Sequence, residues 1–167
     1  MAELSEGDVD YLQQAIELSR EALDNTSFTP FGAIVVVNNR IVGQGVSEVV
    51  ASNDPTAHAE VMALRHTGSN LATHMFPTAT LYCSSEPCPL CLAACLWAKV
   101  PRIIFAASTK DVAFHGFEDL WFYREIALPR EARSVQEIEA SDPEKSEAVA
   151  ILQTWAETVP GGVTPKL

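Results

Sequence analysis

The chain has 167 residues, of which 47% are apolar, and a formal net charge of −11 at pH 7. This length and apolar content fit one globular domain with a buried core and exclude a disordered chain. With 11 Lys and Arg against 22 Asp and Glu, nucleic-acid partners are disfavoured, because their affinity rests on cations neutralising phosphates.

Residues 1–10 are acidic and polar, without the basic start and apolar stretch of a signal peptide. No apolar run approaches the roughly 20 residues that span a bilayer. The expectation is a cytoplasmic protein forming a single domain over 1–167, with no internal repeat, low-complexity tract or linker. Residues 9–23 predict an amphipathic helix, with Leu12, Ile16, Ser19 and Leu23 on one face and Tyr11, Ala15, Leu18 and Ala22 widening it. A loop around Pro30 follows. Residues 33–37 and 41–50 predict a hairpin turning at Asn38-Asn39. The first run is apolar throughout, so both of its faces should be covered.

Turn and cap residues at 52–56 precede a helix from about Ala57 to His66, ending at Gly68. Residues 80–84 predict a strand and 88–98 a helix, with Pro87 and Pro89 tolerated at its start. Pro101 ends that stretch, and 102–107 predict a further buried strand. From 108 to 133 the pattern is irregular and aromatic, which reads as a functional loop. Residues 135–138 predict a last short strand. A final helix follows over 144–158, with Ala148, Ile151, Leu152 and Trp155 on one face. The alternation of helix and strand patterns predicts an α/β layered architecture.

The chemistry is concentrated in two places. Thr56-Ala57-His58-Ala59-Glu60 and Glu86-Pro87-Cys88-Pro89-Leu90-Cys91 each stand at a helix start. Together they match the H-x-E…P-C-x-x-C pattern of zinc deaminases. Two cysteines three apart at a helix N-terminus can turn both sulfurs to one point, where the partial positive charge favours thiolates. His58, Cys88 and Cys91 make three zinc ligands, and tetrahedral preference leaves a fourth position for water. Glu60 would take a proton from that water and deliver it to a ring nitrogen and the departing amine. His58 and Glu60 are two apart, so they share a site only if it lies off the end of their helix. Three alternatives compete: a redox pair, a structural zinc with a fourth ligand among Cys83, Cys95, His66 and His74, and ordinary core or surface roles for those residues. Cys83 and Cys95 read most simply as core, and His66, His74 and His115 as surface or loop.

At these residues the sequence resembles the cytidine deaminase-like superfamily, and within it the bacterial guanine deaminase branch. The stretches that carry the likeness are Pro30 to Ala33, Ser52 to Val61, Glu86 to Leu92, Gly116 to Asp119 and Tyr123 to Ile126. The resemblance implies a three-layer α/β/α sandwich on a five-stranded mixed sheet, and a homodimer with C-terminal segments, here 144–167, exchanged between subunits. It implies one zinc per subunit at His58, Cys88 and Cys91, a proton shuttle at Glu60, and Asp119 as a carboxylate that binds or protonates a purine. It also places Phe31 and Trp97 at positions lining the base pocket.

The chain departs from the branch at several points. Ser47 stands where the family places an asparagine, and Phe28-Thr29 stands where glycines are common. His115, beside Gly116, is a candidate to reach the pocket. The chain ends Thr164-Pro165-Lys166-Leu167, without the branch's tyrosine. The implied reaction is hydrolytic deamination of a small aminated heterocycle, guanine first. Other purines, pterins, triazines or cytosine-type bases, adenosine in transfer RNA, and a non-catalytic zinc module are the alternatives.

Overall fold

The structure is a computed structural model that describes residues 3–163. The chain ending at 164–167, and with it the expected missing tyrosine, lies outside the described residues. The chain divides into two compact units, one ending at Ala127 and one beginning at Leu128.

The first unit is built on four strands in the order β2-β1-β3-β4. These are β1 (Thr29–Val37), β2 (Arg40–Ser47), β3 (Thr80–Ser85) and β4 (Arg102–Ala107). β1 pairs antiparallel with β2 and β3, and β3 pairs parallel with β4. The β1–β2 hairpin turns at Asn38 and Asn39, both with positive φ, the conformation a two-residue turn of this hand requires and asparagine tolerates. Helices flank the sheet. In chain order they are α1 (Glu6–Ser19), α2 (Glu21–Asp24), α3 (Val49–Ser52), α4 (Ala59–Leu71), α5 (Pro89–Trp97), α6 (Thr109–Phe114) and α7 (Asp119–Ile126).

Strand alternation divides the core in two. Ala33, Val35, Leu81 and Cys83 pack with Ala59, Ala63 and Leu64 of α4 and Cys95 of α5. Ile34, Val36, Tyr82 and Ile104 pack with Ala15, Tyr11, Leu12 and Leu18 of α1. β1 is therefore covered on both faces, as its unbroken apolar run predicts. Near the start of α1, the buried Asp8 carboxylate accepts hydrogen bonds from Arg102 Nη1 at 2.7 Å and Nη2 at 2.9 Å, and from the Tyr82 hydroxyl at 2.7 Å. It thus ties that helix to β3 and β4, and the Arg102 guanidinium holds its carboxyl well below the usual carboxylate range.

Several expectations are corrected. Among the described residues the mixed sheet has four strands, not five. Residues 135–138 form no strand, and Val135 and Ile138 are 67% and 79% exposed. β4 is an edge strand with Phe105 40% exposed, so it lacks the second cover expected of it. α4 runs through Gly68 to Leu71, because an isolated glycine lowers helix stability without ending the helix. The segment after β4 is helical: Ser108 and Asp111 form a reciprocal capping box that starts α6.

The second unit carries a 3₁₀ turn at Arg130–Ala132 and α8 (Glu144–Thr158), the expected final helix. Arg133 pairs with Glu137 and Lys145 with Glu139. No helix among the described residues is long and apolar enough to cross a membrane.

Candidate active site

Antiparallel pairing brings the start of β1 and the end of β2 to one edge, with Thr29 opposite Ser47. The end of β3 reaches the same edge, since Ala33 stands opposite Cys83. α4 and α5 begin there, so their first turns face a common point at the carboxyl ends of strands, where ligands of α/β sheets bind.

His58 is the N-cap of α4, with extended backbone (φ −68°, ψ 153°), and Glu60 lies in the first helical turn. This difference in backbone lets two residues only two apart reach one site. The turn before them is fixed by Asp54, whose carboxylate accepts from the Thr56 N–H at 2.8 Å and the Thr56 hydroxyl at 2.7 Å. Contact with β2 is close. A Cβ on Gly45 would overlap the Ala59 carbonyl oxygen and stand 2.7 Å from the Ala63 nitrogen, so only glycine lets α4 seat here without a shift.

Cys88 is the N-cap of α5 and Cys91 lies in its first turn. The donor atoms of His58, Cys88 and Cys91 all lie within 4.8 Å of one another. Cys88 Sγ is 3.6 Å from His58 Nδ1, and Cys91 Sγ is 3.3 Å from Glu60 Oε2. The Cys91 thiol and the His58 ring hold the Cys88 thiol down to about 4. The Cys88 sulfur and burial push Cys91 well above its ordinary value. Burial raises the pKa of Glu60.

One imidazole nitrogen and two sulfurs are a fitting donor set for Zn²⁺, whose bonds of about 2.0–2.3 Å place tetrahedral ligands roughly 3.5–3.8 Å apart. Cys83, Cys95, His66 and His74 do not join this group. Three protein ligands leave a coordination position open, as catalytic zinc sites do and closed structural sites do not.

The triad opens into a cavity of about 360 Å³ lined by Thr29, Phe31, Ser47, Val49, His58, Glu60, Ser85, Cys88, Phe117, Asp119 and Phe122, with the backbone of Gly116. This is the lower end of the range for small-ligand sites. Asp119 starts α7 and is half-buried, and burial followed by the Cys88 charge pushes its carboxyl up. Phe31 and Phe117 meet edge to face, ring centroids 4.8 Å apart. The Tyr123 hydroxyl donates to the Pro87 carbonyl at 2.7 Å, tying α7 to the cysteine-bearing turn. Glu86 Oε2 accepts from the Thr109 N–H at 2.8 Å and anchors the start of α6.

The structure brings Phe31, Ser47, His58, Glu60, Cys88, Cys91 and Asp119 together. It does not bring Trp97 or His115 to this cavity. Trp97 ends α5 and is 81% exposed. His115 is exposed against Phe114 and borders a neighbouring apolar groove with Val112. Thr29, Phe117 and Phe122 also line the cavity, although the sequence reading gives none of them a role in the site. For the last two, the Ser108–Asp111 cap was the readable signal.

Comparison with known proteins agrees with this geometry. The family described as the cytidine and deoxycytidylate deaminase zinc-binding region matches residues 5–107. A guanine deaminase of Bacillus subtilis is 40% identical over 125 residues, covering 75% of this chain and 80% of that protein. The X-ray structure of guanine deaminase from that organism superimposes with a TM-score of 0.85 at 33% identity, over 98% of this chain and 100% of the other. A tRNA-specific adenosine deaminase of Haemophilus influenzae is 36% identical over 121 residues, 69% of each chain.

Proposed function

The chain belongs to the cytidine and deoxycytidylate deaminase zinc-binding family and is a zinc-dependent deaminase, and from this premise we propose that its substrate is a free purine base, guanine before others, deaminated to xanthine and ammonia. One observation carries the reading: Glu60 lies against the three-ligand group at the floor of a cavity sized for a small ring.

In this reading His58, Cys88 and Cys91 hold the zinc, which when bound supplies the Lewis acidity that makes water nucleophilic at neutral pH. The buried Glu60 carboxylate takes a proton from the attacking water and passes protons to a ring nitrogen and to the amine. Water oxygen bonds to the amine-bearing carbon, the carbon–nitrogen bond breaks, and ammonia leaves. Asp119 holds the ring N–H edge. Phe31, Phe117 and Phe122 enclose the ring and limit access of bulk water.

The test is ammonia release by zinc-loaded protein across purines, pyrimidines, pterins and triazines. Guanine is expected to give the highest kcat/KM, and no release from any ring would refute the reading. Glu60→Gln should lower kcat at least about 100-fold with zinc retained. Full activity in that variant would remove Glu60 from the proton path.

Adenosine in transfer RNA is the second reading, favoured by the 36% identity to a tRNA-specific enzyme and opposed by a net charge of −11. Binding of labelled transfer RNA at physiological salt distinguishes the two.

The proposal includes a homodimer in which residues 144–167 are exchanged between copies. It is supported by the exposed apolar face of α8, where Ile151, Leu152 and Trp155 are each more than 60% exposed. Light scattering at micromolar concentration reads the mass, and a monomer there would refute it. A site with two thiol ligands also suits a reducing compartment, the cytoplasm.

A further inference from the structure

We propose that Tyr123 makes one wall of the cavity answer to the metal: zinc held by the cysteine-bearing turn steadies α7 through the Tyr123–Pro87 hydrogen bond, and with α7 the cavity groups Asp119 and Phe122. The proposal rests on the zinc site and not on the identity of the ring.

The segment that carries this wall is attached at two points of different kind. The first belongs to the sheet. The Glu86 N–H donates to the Ala107 carbonyl at 2.7 Å, beside the paired Ser85 and Ala107 of β3 and β4. Glu86 is thus held by the sheet, and its Oε2, accepting from the Thr109 N–H at 2.8 Å, gives α6 a fixed start. The second point belongs to the metal turn. The Tyr123 hydroxyl donates to the Pro87 carbonyl at 2.7 Å. That carbonyl and the Cys88 N–H are parts of one planar peptide group, so the acceptor of α7 moves with Cys88. Cys88 is the N-cap of α5 and one of the three metal-ligating residues. Zinc on its sulfur restrains Cys88 and hence the plane that Tyr123 grips.

Between the two points lies Gly116, at φ +94°, a conformation that glycine takes freely. A Cβ there would meet nothing within 4 Å, so this joint lets α7 turn while α6 stays seated. The edge-to-face contact of Phe117 with Phe31 lies past the joint but does not involve Cys88, and so does not carry the effect of the metal. Asp119 and Tyr123 are four apart on α7 and share a face, with Phe122 next to Tyr123. Holding Tyr123 therefore sets the cavity groups of the preceding turn. Tyr123 neither lines the cavity nor ligates the metal, and is a positioning residue. By linkage, an attached α7 favours zinc by the same factor as zinc favours the attachment. One ordinary hydrogen bond sets that factor at about threefold to tenfold.

The experiment reads amide hydrogen exchange of the full chain, zinc-loaded and chelator-stripped, together with zinc affinity from chelator competition. It compares the unaltered protein with Tyr123→Phe, which removes only the hydroxyl, and Thr109→Pro, which removes the N–H that Glu86 accepts. Proline suits the first position of a helix, and Ser108 before it is already extended, at φ −78° and ψ 164°. In the unaltered protein zinc should slow exchange in α7 about threefold to tenfold more than in α6. Tyr123→Phe should lose that excess and bind zinc more weakly by the same factor. Thr109→Pro should keep both, and Glu86→Ala takes its place if it does not fold.

An equal response of α6 and α7 to zinc in the unaltered protein, a full excess in Tyr123→Phe, or an equal loss in Thr109→Pro overturns the proposal. If stripping unfolds the chain throughout, so that α1 exchanges as fast as α7, the affinities decide: equal zinc binding by Tyr123→Phe and the unaltered protein overturns it. No substrate enters these measurements, so failure to deaminate guanine would refute the substrate reading and leave this one standing.

Discussion

Gly45→Ala tests whether the placement of the Glu60 carboxylate, the proposed proton carrier, depends on the close seat of α4 on β2. The added Cβ would overlap the Ala59 carbonyl oxygen and lie 2.7 Å from both the Ala63 nitrogen and Met62 Cβ. Two of these three atoms are backbone, so no side-chain rotation relieves the contact. Ordinary carbon–nitrogen and carbon–carbon contacts lie at about 3.5–4 Å, so the first turn of α4 must move by roughly 1 Å. Overpacking of this kind costs about 1–3 kcal/mol, which urea unfolding reads as a lower midpoint with unchanged slope. Ala59 lies between His58 and Glu60, so the shift reaches both. A misplacement of about 1 Å near reacting groups can cost about 100-fold in rate. Ammonia release at saturating zinc should therefore fall far more than stability does. Gly7→Ala is the control: its Cβ would meet nothing within 4 Å, and in a helix it should stabilise by about 0.5–1 kcal/mol. A Gly45→Ala protein of unchanged stability and kcat/KM would refute the close seat as the cause of the geometry.

Three further outcomes are expected. Cys91→Ser should lower bound zinc from one ion per chain to a small fraction by metal analysis, whereas Cys95→Ala, outside the ligand group, should retain it; full zinc in Cys91→Ser would remove that residue from the set. Asp8 is depressed in the folded state by Arg102 and by its hydrogen bonds to Tyr82 and Ser5, so its contribution is complete above the ordinary carboxylate value of about 4 and is lost as pH falls below it toward the depressed native value. Asp8→Asn should accordingly cost about 1–3 kcal/mol at pH 7 and flatten the loss of stability in acid, and an unchanged acid limb in urea titrations would contradict this. Tyr123→Phe removes the bond to Pro87 and should cost about 1 kcal/mol and raise KM more than it lowers kcat, with unchanged kinetics counting against the tether.

The ligand group was readable because its geometry follows from local spacing. Cys88 and Cys91 share a helix start, and His58 needed only a boundary between extended and helical backbone to share a site with Glu60. The cavity wall was less readable. Phe114, Phe117, Trp121 and Phe122 have helical spacing, but Gly116, with positive φ, interrupts it, so α6 and α7 read as a loop, although Ser108 and Asp111 carry a cap that marks the first of them. Trp97 follows a ligand residue and His115 precedes two cavity residues along the chain, but the end of α5 and the α6–α7 turn leave both exposed. The fifth strand failed because a short apolar run such as 135–138 does not by itself contain its pairing partner. The place of Thr29 in the cavity wall depends on a slip in strand register, which no sequence periodicity displays.

The Tyr123–Pro87 tether has a consequence for how such an enzyme can diversify. The cysteine-bearing turn is braced from outside by a hydroxyl-to-carbonyl link that uses no cavity-lining side chain. Replacement of Thr29, Ser47, Phe117 or Phe122 therefore leaves that brace intact. Libraries confined to these four positions can explore new rings while each member still assembles its metal cage, so reaction type and substrate range can be inherited as separable traits.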